Sequence, residues 1–510
     1  MAATILRTLT VPAAIWVALA TAVATSGCMV GPRFRPPTPP AAKSYAGVGD
    51  KAAPEATLTA DPPVGPWWKA LGSSALETVM SRALEHNQTV AAAQATLEKA
   101  RDQAQAERAK LAPNLSFTAA YSRERINIAS LGFSGFPSPT IGLYSVGPTV
   151  SYDLDLAGGQ RRRIELARAQ AQAQAFRADA AYLTLTGNVA LQAVTIAGLR
   201  AEIDAVEAVI EDDRRSIEIV VKAEEQGGEP TSAGLGGRLQ LEQDQTLLQP
   251  LEQQLAYARH QLALLVGEAP SEWSAPDFAV ADFAANAIIP VAIPSALVRR
   301  RPDIAAAEAD LHADAAIIGV ETARLYPDLK LTAGLTQESV DVRSLGNSSS
   351  AAYFIGPTLS WTLFDGGEIR ADRRAARAQA RADLARYRQT VIAAFVQVSD
   401  VLSALGEDED HLAGLTRAEA TARASLEEAR AGYRIGGTPL ANVVIADRRW
   451  REATLAKTQA IGQRLADIVT LYGATAADWR SGQTLPNPAP SAKVPRKLGV
   501  KSLAPLAQSP

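Results

Sequence analysis

Two nine-residue stretches decide the architecture: Tyr144-Ser-Val-Gly-Pro-Thr-Val-Ser-Tyr152 and Tyr353-Phe-Ile-Gly-Pro-Thr-Leu-Ser-Trp361, which align at an offset of 209. The same offset pairs Gly158 with Gly367, Ala167-Arg-Ala-Gln-Ala171 with Ala376-Arg-Ala-Gln-Ala380, Gly227-Gly228 with Gly436-Gly437, and Pro230 with Pro439. Upstream, Leu111, Pro113, Leu115 and Ala119 match Leu325, Pro327, Leu329 and Ala333 at an offset of 214. The chain is therefore a duplicated unit. The change of offset falls between about residues 122 and 144, in a stretch whose composition is that of an exposed loop, where insertions are tolerated. Shared low complexity accounts for matches among Ala, Arg and Gln but not for Gly-Pro-Thr in register.

Each copy reads helix, strand, loop, strand, long helix, turn, helix. In the second strand of copy one, Val146, Pro148, Val150, Tyr152 and Leu154 alternate with Ser145, Gly147, Thr149, Ser151 and Asp153; copy two repeats this with Tyr353, Ile355, Pro357, Leu359, Trp361 and Leu363. The first strands do the same through Leu115, Phe117, Ala119 and Tyr121, and through Leu329, Leu331, Ala333 and Leu335. Period-two alternation gives each strand one apolar face. It fits a half-buried soluble sheet or a membrane β-barrel. The flanking helices are too long to fold back over these faces, and the loops at 123–143 and 340–351 are polar, so the apolar faces are expected to meet lipid. Four strands cannot close a barrel, and open edges cannot sit in hydrocarbon. Closure then requires further copies of the chain: two for about eight strands, three for about twelve.

From 160 to about 225, and from 368 to about 434, nothing interrupts the helical pattern. Each stretch spans roughly 100 Å at 1.5 Å per residue, a length that belongs to coiled-coil-like packing. Helices at about 74–111, 235–266, 295–325 and 440–471 have half that length or less and are expected to stack end to end beside the long ones. Together these predict a mainly α fold with a β-barrel part, continued by a tube of helices.

Composition narrows the function. The 510 residues carry a net charge of −3, 5% aromatics, one cysteine and four dispersed histidines. A near-neutral chain offers no electrostatic footprint for nucleic acid. One cysteine excludes a disulfide framework, and His86, His260, His312 and His411 have no ligand spacing, so no metal site is expected. Gly132-Phe-Ser-Gly135 lacks the spacing of a nucleophile elbow, Gly234-Leu-Gly-Gly237 does not follow a strand, and the acidic run from Glu407 to Asp410 reads as a solvated helix face. No catalytic constellation is present.

The lone cysteine follows an apolar run, residues 11–24, and the tripeptide Thr25-Ser26-Gly27, the layout of a secretory signal. Small residues before Cys28 resemble the lipobox of bacterial lipoproteins, with Thr25 where leucine is usual; Met29 in the next position resembles lipoproteins sent to the outer membrane. The expected organisation is a signal peptide at 1–27, a Pro-rich extended segment at 28–66 with nine prolines among residues 29–66, a first repeat at 67–274, a linker at 275–294, a second repeat at 295–480 and a Pro-rich disordered tail at 481–510.

At this point the chain resembles the outer membrane efflux protein family, the TolC-like channels, and within it the lipoprotein branch that serves pumps of the resistance-nodulation-division type. The residues that carry the resemblance are Cys28-Met-Val-Gly-Pro32, Trp67-Trp68, Ala83-Leu-Glu-His-Asn87, Pro294-Ser-Ala-Leu-Val-Arg-Arg-Arg-Pro-Asp-Ile304 with Ala307-Glu308 and Ile318-Gly319, and Phe364-Asp-Gly-Gly367. The resemblance implies a homotrimer with a twelve-stranded barrel and a periplasmic α-barrel. It implies a passive exit duct for small molecules, docked to a periplasmic adaptor and an inner-membrane transporter, with no cofactor beyond the lipid on Cys28. A channel for type I protein secretion shares this fold; a periplasmic coiled-coil adaptor without a pore is the alternative of a different class. The family's inner gate lies at the turn Tyr433-Arg-Ile-Gly-Gly-Thr-Pro-Leu-Ala-Asn-Val-Val-Ile-Ala-Asp447. The positions of TolC's acidic residues fall on Asn442 and Ile445, with Asp447 two residues further on, so an uncharged constriction is expected. Arg161, Arg162 and Arg163, and Arg370, Arg373, Arg374 and Arg377, follow the second strand of each repeat and are candidates for contact with lipid head groups.

Overall fold

The computed structural model describes residues 29–40, 45, 58–59, 66–125, 127, 139–228, 230–283, 289–290, 298 and 301–475. In chain order the strands are β1 (Leu58–Thr59), β2 (Asn114–Arg125), β3 (Thr140–Asp153), β4 (Ile289–Pro290), β5 (Asp328–Ser339) and β6 (Ala351–Ser360). The α-helices are α1 (Ser74–His86), α2 (Gln88–Ala109), α3 (Gly159–Glu225), α4 (Thr231–Gln245), α5 (Leu248–Val266), α6 (Pro302–Ala323), α7 (Glu368–Arg434) and α8 (Leu440–Ala474). Cys28, the signal at 1–27 and the tail at 481–510 lie outside the described residues.

The four long strands form one antiparallel sheet in the order β2-β3-β5-β6. The β2–β3 hairpin runs in continuous register from Asn114↔Ser151 to Arg125↔Thr140. Between β3 and β5 the ladder skips Gly147 and Pro148. Proline has no N–H to give an interior strand, and Gly147 is needed beside it because a Cβ there would fall 2.0 Å from the Leu335 carbonyl oxygen. Its counterpart, Gly356-Pro357, sits on β6, which has one strand neighbour within the chain.

Both long helices have the predicted extent, each 67 residues. They start alike: Gly158 and Gly367 turn the chain through positive φ, and an aspartate upstream covers the free N–H groups of the first turn. Asp155 accepts from the N–H of Gln160 at 2.8 Å and of Arg161 at 3.0 Å, and Asp365 from those of Gly367 and Ile369, both at 2.8 Å.

Three of the shorter helices differ from expectation, the one expected at 295–325 being non-helical at Arg301 and beginning at Pro302. The stretch expected as one helix from 74 is broken at Asn87, and the one expected at 235–266 begins at Thr231 and is broken at Thr246 and Leu247. Asn87 shows why. Its N–H ends α1 on the Ala83 carbonyl, its Oδ1 accepts from Thr89 at 2.9 Å and Val90 at 3.0 Å to cap α2, and its Nδ2 donates to the Leu265 carbonyl of α5 at 2.8 Å. That last bond sets α5 end to end with α2. Gly267, with φ +85, lets α5 approach so closely that a Cβ would fall 2.4 Å from the His86 carbonyl oxygen. The second repeat achieves the same stacking with Arg301. Its guanidinium donates to the Ala474 carbonyl at the end of α8 (2.7 Å) while holding Asp303 in the first turn of α6 through two bonds of 3.1 and 2.9 Å. Pro302 begins that helix without losing a hydrogen bond. This is the physical content of the Arg-Pro-Asp motif.

Four columns result. The stacked pair α2 and α5 packs on α3, α3 packs on the stacked pair α6 and α8, and that pair packs on α7. The core sits at the level of the two junctions, around Trp67, Trp68, Leu71, Leu262, Val398 and Tyr472. Trp67 stacks on Tyr472 with centroids 5.2 Å apart, and its indole N–H reaches Thr186.

Candidate functional site: a membrane sheet and the helix turns opposite it

The sheet carries its large apolar side chains in the open. Leu115 and Phe117 on β2, and Tyr353, Ile355 and Leu359 on β6, are 63–81% exposed. At about 25 cal/mol per Å² such side chains are costly to hydrate. No helix is packed on the sheet among the described residues, so a lipid phase is the environment that fits them. β2 and β6 are each paired on one side only.

Below the sheet the basic residues separate into different roles. Arg162 is a correction to the sequence reading: it is 1% exposed and cannot reach a head group. Its guanidinium donates to the carbonyls of Val30 (2.9 Å) and Gly31 (3.1 Å) and pairs with Glu165 (2.7 Å). Glu165 also binds His312, on which the Phe34 ring stacks 4.6 Å away. A Cβ on Gly31 would lie 2.5 Å from Gly319 Cα, so only glycine lets the two backbones touch. Arg162 therefore clamps the extended segment after Cys28 to α3 and α6. Arg163 and Arg370 are exposed, while Arg161 and Arg373 are half-buried.

At the far end of the long helices, the two turns are built alike. Gly227 and Gly436 take φ +74. Paired bonds close each helix, Gly227 to Glu224 (2.9 Å) and Gly228 to Ala223 (2.8 Å), then Gly436 to Tyr433 and Gly437 to Gly432 (both 2.9 Å). Asn442 and Ile445 are exposed on the second turn. Asp447, grouped with them by sequence, is not: it is 7% exposed, pairs with Arg430 of α7 at 3.1 Å and contacts Arg451 one turn on. These pairs withdraw it from any pore-facing set.

Arg451 was not legible in the sequence. It is 8% exposed, donates to the Val209 carbonyl at 2.7 Å and faces Asp212 and Asp213 of α3, each at 3.3 Å. It joins α8 to α3, and through Asp447 to α7. Beside it lies a cleft of about 460 Å³ between α3, α4 and α8, lined by Val206, Val209, Leu247, Val444 and Leu455. Packing is loose where the helices turn, so the ion pairs carry much of the cohesion there.

A sheet with a lipid-facing side and unpaired edges, prolonged by 67-residue helices, defines a channel subunit that spans an outer membrane and projects far from it. The comparisons agree. The family model for outer membrane efflux proteins matches residues 79–268 and 293–477. The chain is 28% identical over 424 residues to the pyoverdine export outer membrane protein OpmQ of Pseudomonas aeruginosa, covering 81% of this chain and 88% of that protein. It is 28% identical over 477 residues to the outer membrane protein OprJ of the same organism, covering 92% and 96%. Among solved structures, the outer-membrane channel OprN superimposes with a TM-score of 0.81 at 26% identity, over 89% of this chain and all of that one. The chain belongs to the outer membrane efflux protein family, with the TolC-like channel fold.

Proposed function

We propose that three copies of this chain close a twelve-stranded barrel and a helical tube beneath it, forming the passive exit duct of a tripartite efflux pump. A periplasmic adaptor and an inner-membrane transporter of the resistance-nodulation-division type deliver small molecules to it. The observation that carries the reading is the pair of unpaired sheet edges at β2 and β6, flanked by exposed apolar side chains. Backbone groups at such edges find no partner in hydrocarbon except another copy's strand. The outer helical columns also expose apolar side chains, Tyr257 and Leu264 on α5 and Ile392 and Val396 on α7.

Lipid attachment at Cys28 is part of the proposal. What supports it is the seating of the next two residues at the end of the sheet: Met29 lies against Gly158, and Val30 donates to the Ala157 carbonyl at 3.2 Å. Arg163 and Arg370 are among the basic side chains exposed at that level, and are the ones we assign to meet head groups. At the opposite end, Asn442 and Ile445 form the uncharged constriction. The test is the mass of the complex extracted by detergent from isolated outer membranes. Three chains are expected; a stable single chain, or recovery in the soluble fraction, removes the barrel and moves a pore-less adaptor to the front.

A further inference from the structure

Asp213 on α3, Asp314 on α6 and Asp408 on α7 share an anomaly: in each, Oδ2 is buried without a hydrogen-bond donor. Each instead touches a second carboxyl group on the helix packed against it: Asp213 meets Asp244 of α4, Asp314 meets Asp383 of α7, and Asp408 meets Asp467 of α8. The three arrangements have one further element in common. The second carboxylate accepts from a glutamine one turn earlier on its own helix: Gln240 to Asp244 (2.8 Å), Gln379 to Asp383 (2.8 Å) and Gln463 to Asp467 (3.0 Å). A device that recurs at three different seams, with the same three residue types, is not incidental packing.

Two buried or half-buried carboxyl groups in contact ionise together only at a cost; one proton between them turns repulsion into a short, charge-assisted hydrogen bond and satisfies the vacant oxygen. The glutamine donates to the member that stays ionised, and so settles which one holds the proton. We infer that each of these three seams is closed by a single shared proton, and that the helical body loosens along them as the pH rises toward neutrality. The inference does not depend on the number of copies, because each pair lies within one chain.

The surrounding charges favour the proton at two of the seams. Around Asp314, Asp310 is paired with Arg177 of α3 and Asp383 with Arg386, so three carboxylates face two guanidinium groups and one proton balances them. Around Asp213 stand Asp212, Asp244 and Asp447, with Glu211 and Glu452 beside them, against the four guanidinium groups of Arg451, Arg430, Arg215 and Arg448, so six carboxylates face four cations. Asp408 faces Arg464 and His411, which oppose protonation, as well as Asp467, which favours it. Burial is the leading cause in each case and pushes Asp314 up to about 7, and Asp213 and Asp408 up to about 6, from 3.8. A carboxyl raised in this way holds its proton more tightly in the folded chain. The stability it contributes is complete below its unfolded value near 4 and is lost as the pH climbs through 6 to 7. The pairs lie about 20, 60 and 80 Å along the long helices from the sheet, so the effect is distributed along the tube.

The experiment compares the full-length protein in detergent with the triple variant Asp213→Asn, Asp314→Asn, Asp408→Asn. An amide keeps the shape and donates to the facing carboxylate at every pH. Wild-type Tm is expected to fall between about pH 5 and pH 8 at constant ionic strength, and the variant's to change much less. Infrared spectra of the wild type at about pH 5.5 should contain the carbonyl stretch of protonated carboxylic acids, bleached in the variant. If the triple variant does not fold, each single substitution should remove part of that band. A pH slope that survives in the variant, or a wild-type spectrum without the band, overturns the inference.

Discussion

Replacing Arg451 with methionine isolates what holds the helix turns together. Methionine retains most of the apolar stem and removes only the guanidinium, which faces Asp212, Asp213 and Asp447 and donates to the Val209 carbonyl. Removing one partner from a buried ion pair costs about 3–5 kcal/mol. Two features place this case at the lower end: Arg430 still holds Asp447 at 3.1 Å, and Asp213 can take up a proton. A loss of about 3 kcal/mol is roughly a hundredfold in a local opening equilibrium, at 1.4 kcal/mol per tenfold. Amide hydrogen exchange on the folded protein reads this directly. Peptides covering 440–455 of α8 and 205–215 of α3 should exchange roughly a hundredfold faster, while those from the α6–α7 contact stay protected. Adding Asp447→Asn should cost little more, because both changes act on one network. Acceleration below about threefold, or equal acceleration along the whole of α8, would refute the view that Arg451 is the tie between these helices.

Ile355→Arg, on the apolar face of β6, should cost about 2–4 kcal/mol if the residue lies near the bilayer midplane, and reduce the yield of membrane-inserted protein; Thr358→Arg, on the opposite face three residues on, should leave insertion intact, and equal yields would show that neither face meets lipid. Gly31→Ala should unseat the N-terminal segment, since its Cβ would fall 2.5 Å from Gly319 Cα; limited trypsin digestion should then cleave after Arg33 several-fold faster, and an unchanged rate would show that the close backbone contact does not hold the segment.

Much of the fold is legible in the chain because its signals are periodic and duplicated. The strand alternation and the 209-residue offset identify both hairpins and both long helices, whose observed limits, Gly159–Glu225 and Glu368–Arg434, fall where the αL glycines and the Gly-Gly turns indicate. The break at Thr246-Leu247 carried a signal in Pro250, which has no N–H for the Thr246 carbonyl and is tolerated only in the first turn of a helix. The break at Asn87 was not legible: asparagine is no stronger as a stop signal than residues tolerated elsewhere in these helices, and what makes it a break is the Leu265 carbonyl, supplied by a segment 178 residues away. The basic residues show the same limit. Arg161, Arg162 and Arg163 are equivalent as sequence, yet only Arg162 meets the carbonyls of Val30 and Gly31. The acidic run from Glu407 to Asp410 reads as one solvated face, and three of its members are exposed, but Asp408 turns toward Asp467. A partial signal for the carboxyl pairs was present in the Gln-x-x-x-Asp spacing at 240, 379 and 463, a spacing that brings the two side chains together on one helix face.

The sequence by itself determined the duplicated unit, the apolar faces of the strands, the length of the helices and the family, because each rests on local periodicity or on motifs carried in order along the chain. Only the tertiary structure decided which charged groups are functional surface and which are internal ties. Burial and pairing are set by residues far apart in sequence, so Asp447 and Arg162 could be drawn into ion pairs while Arg163 and Asn442, close to them in the chain, stayed exposed.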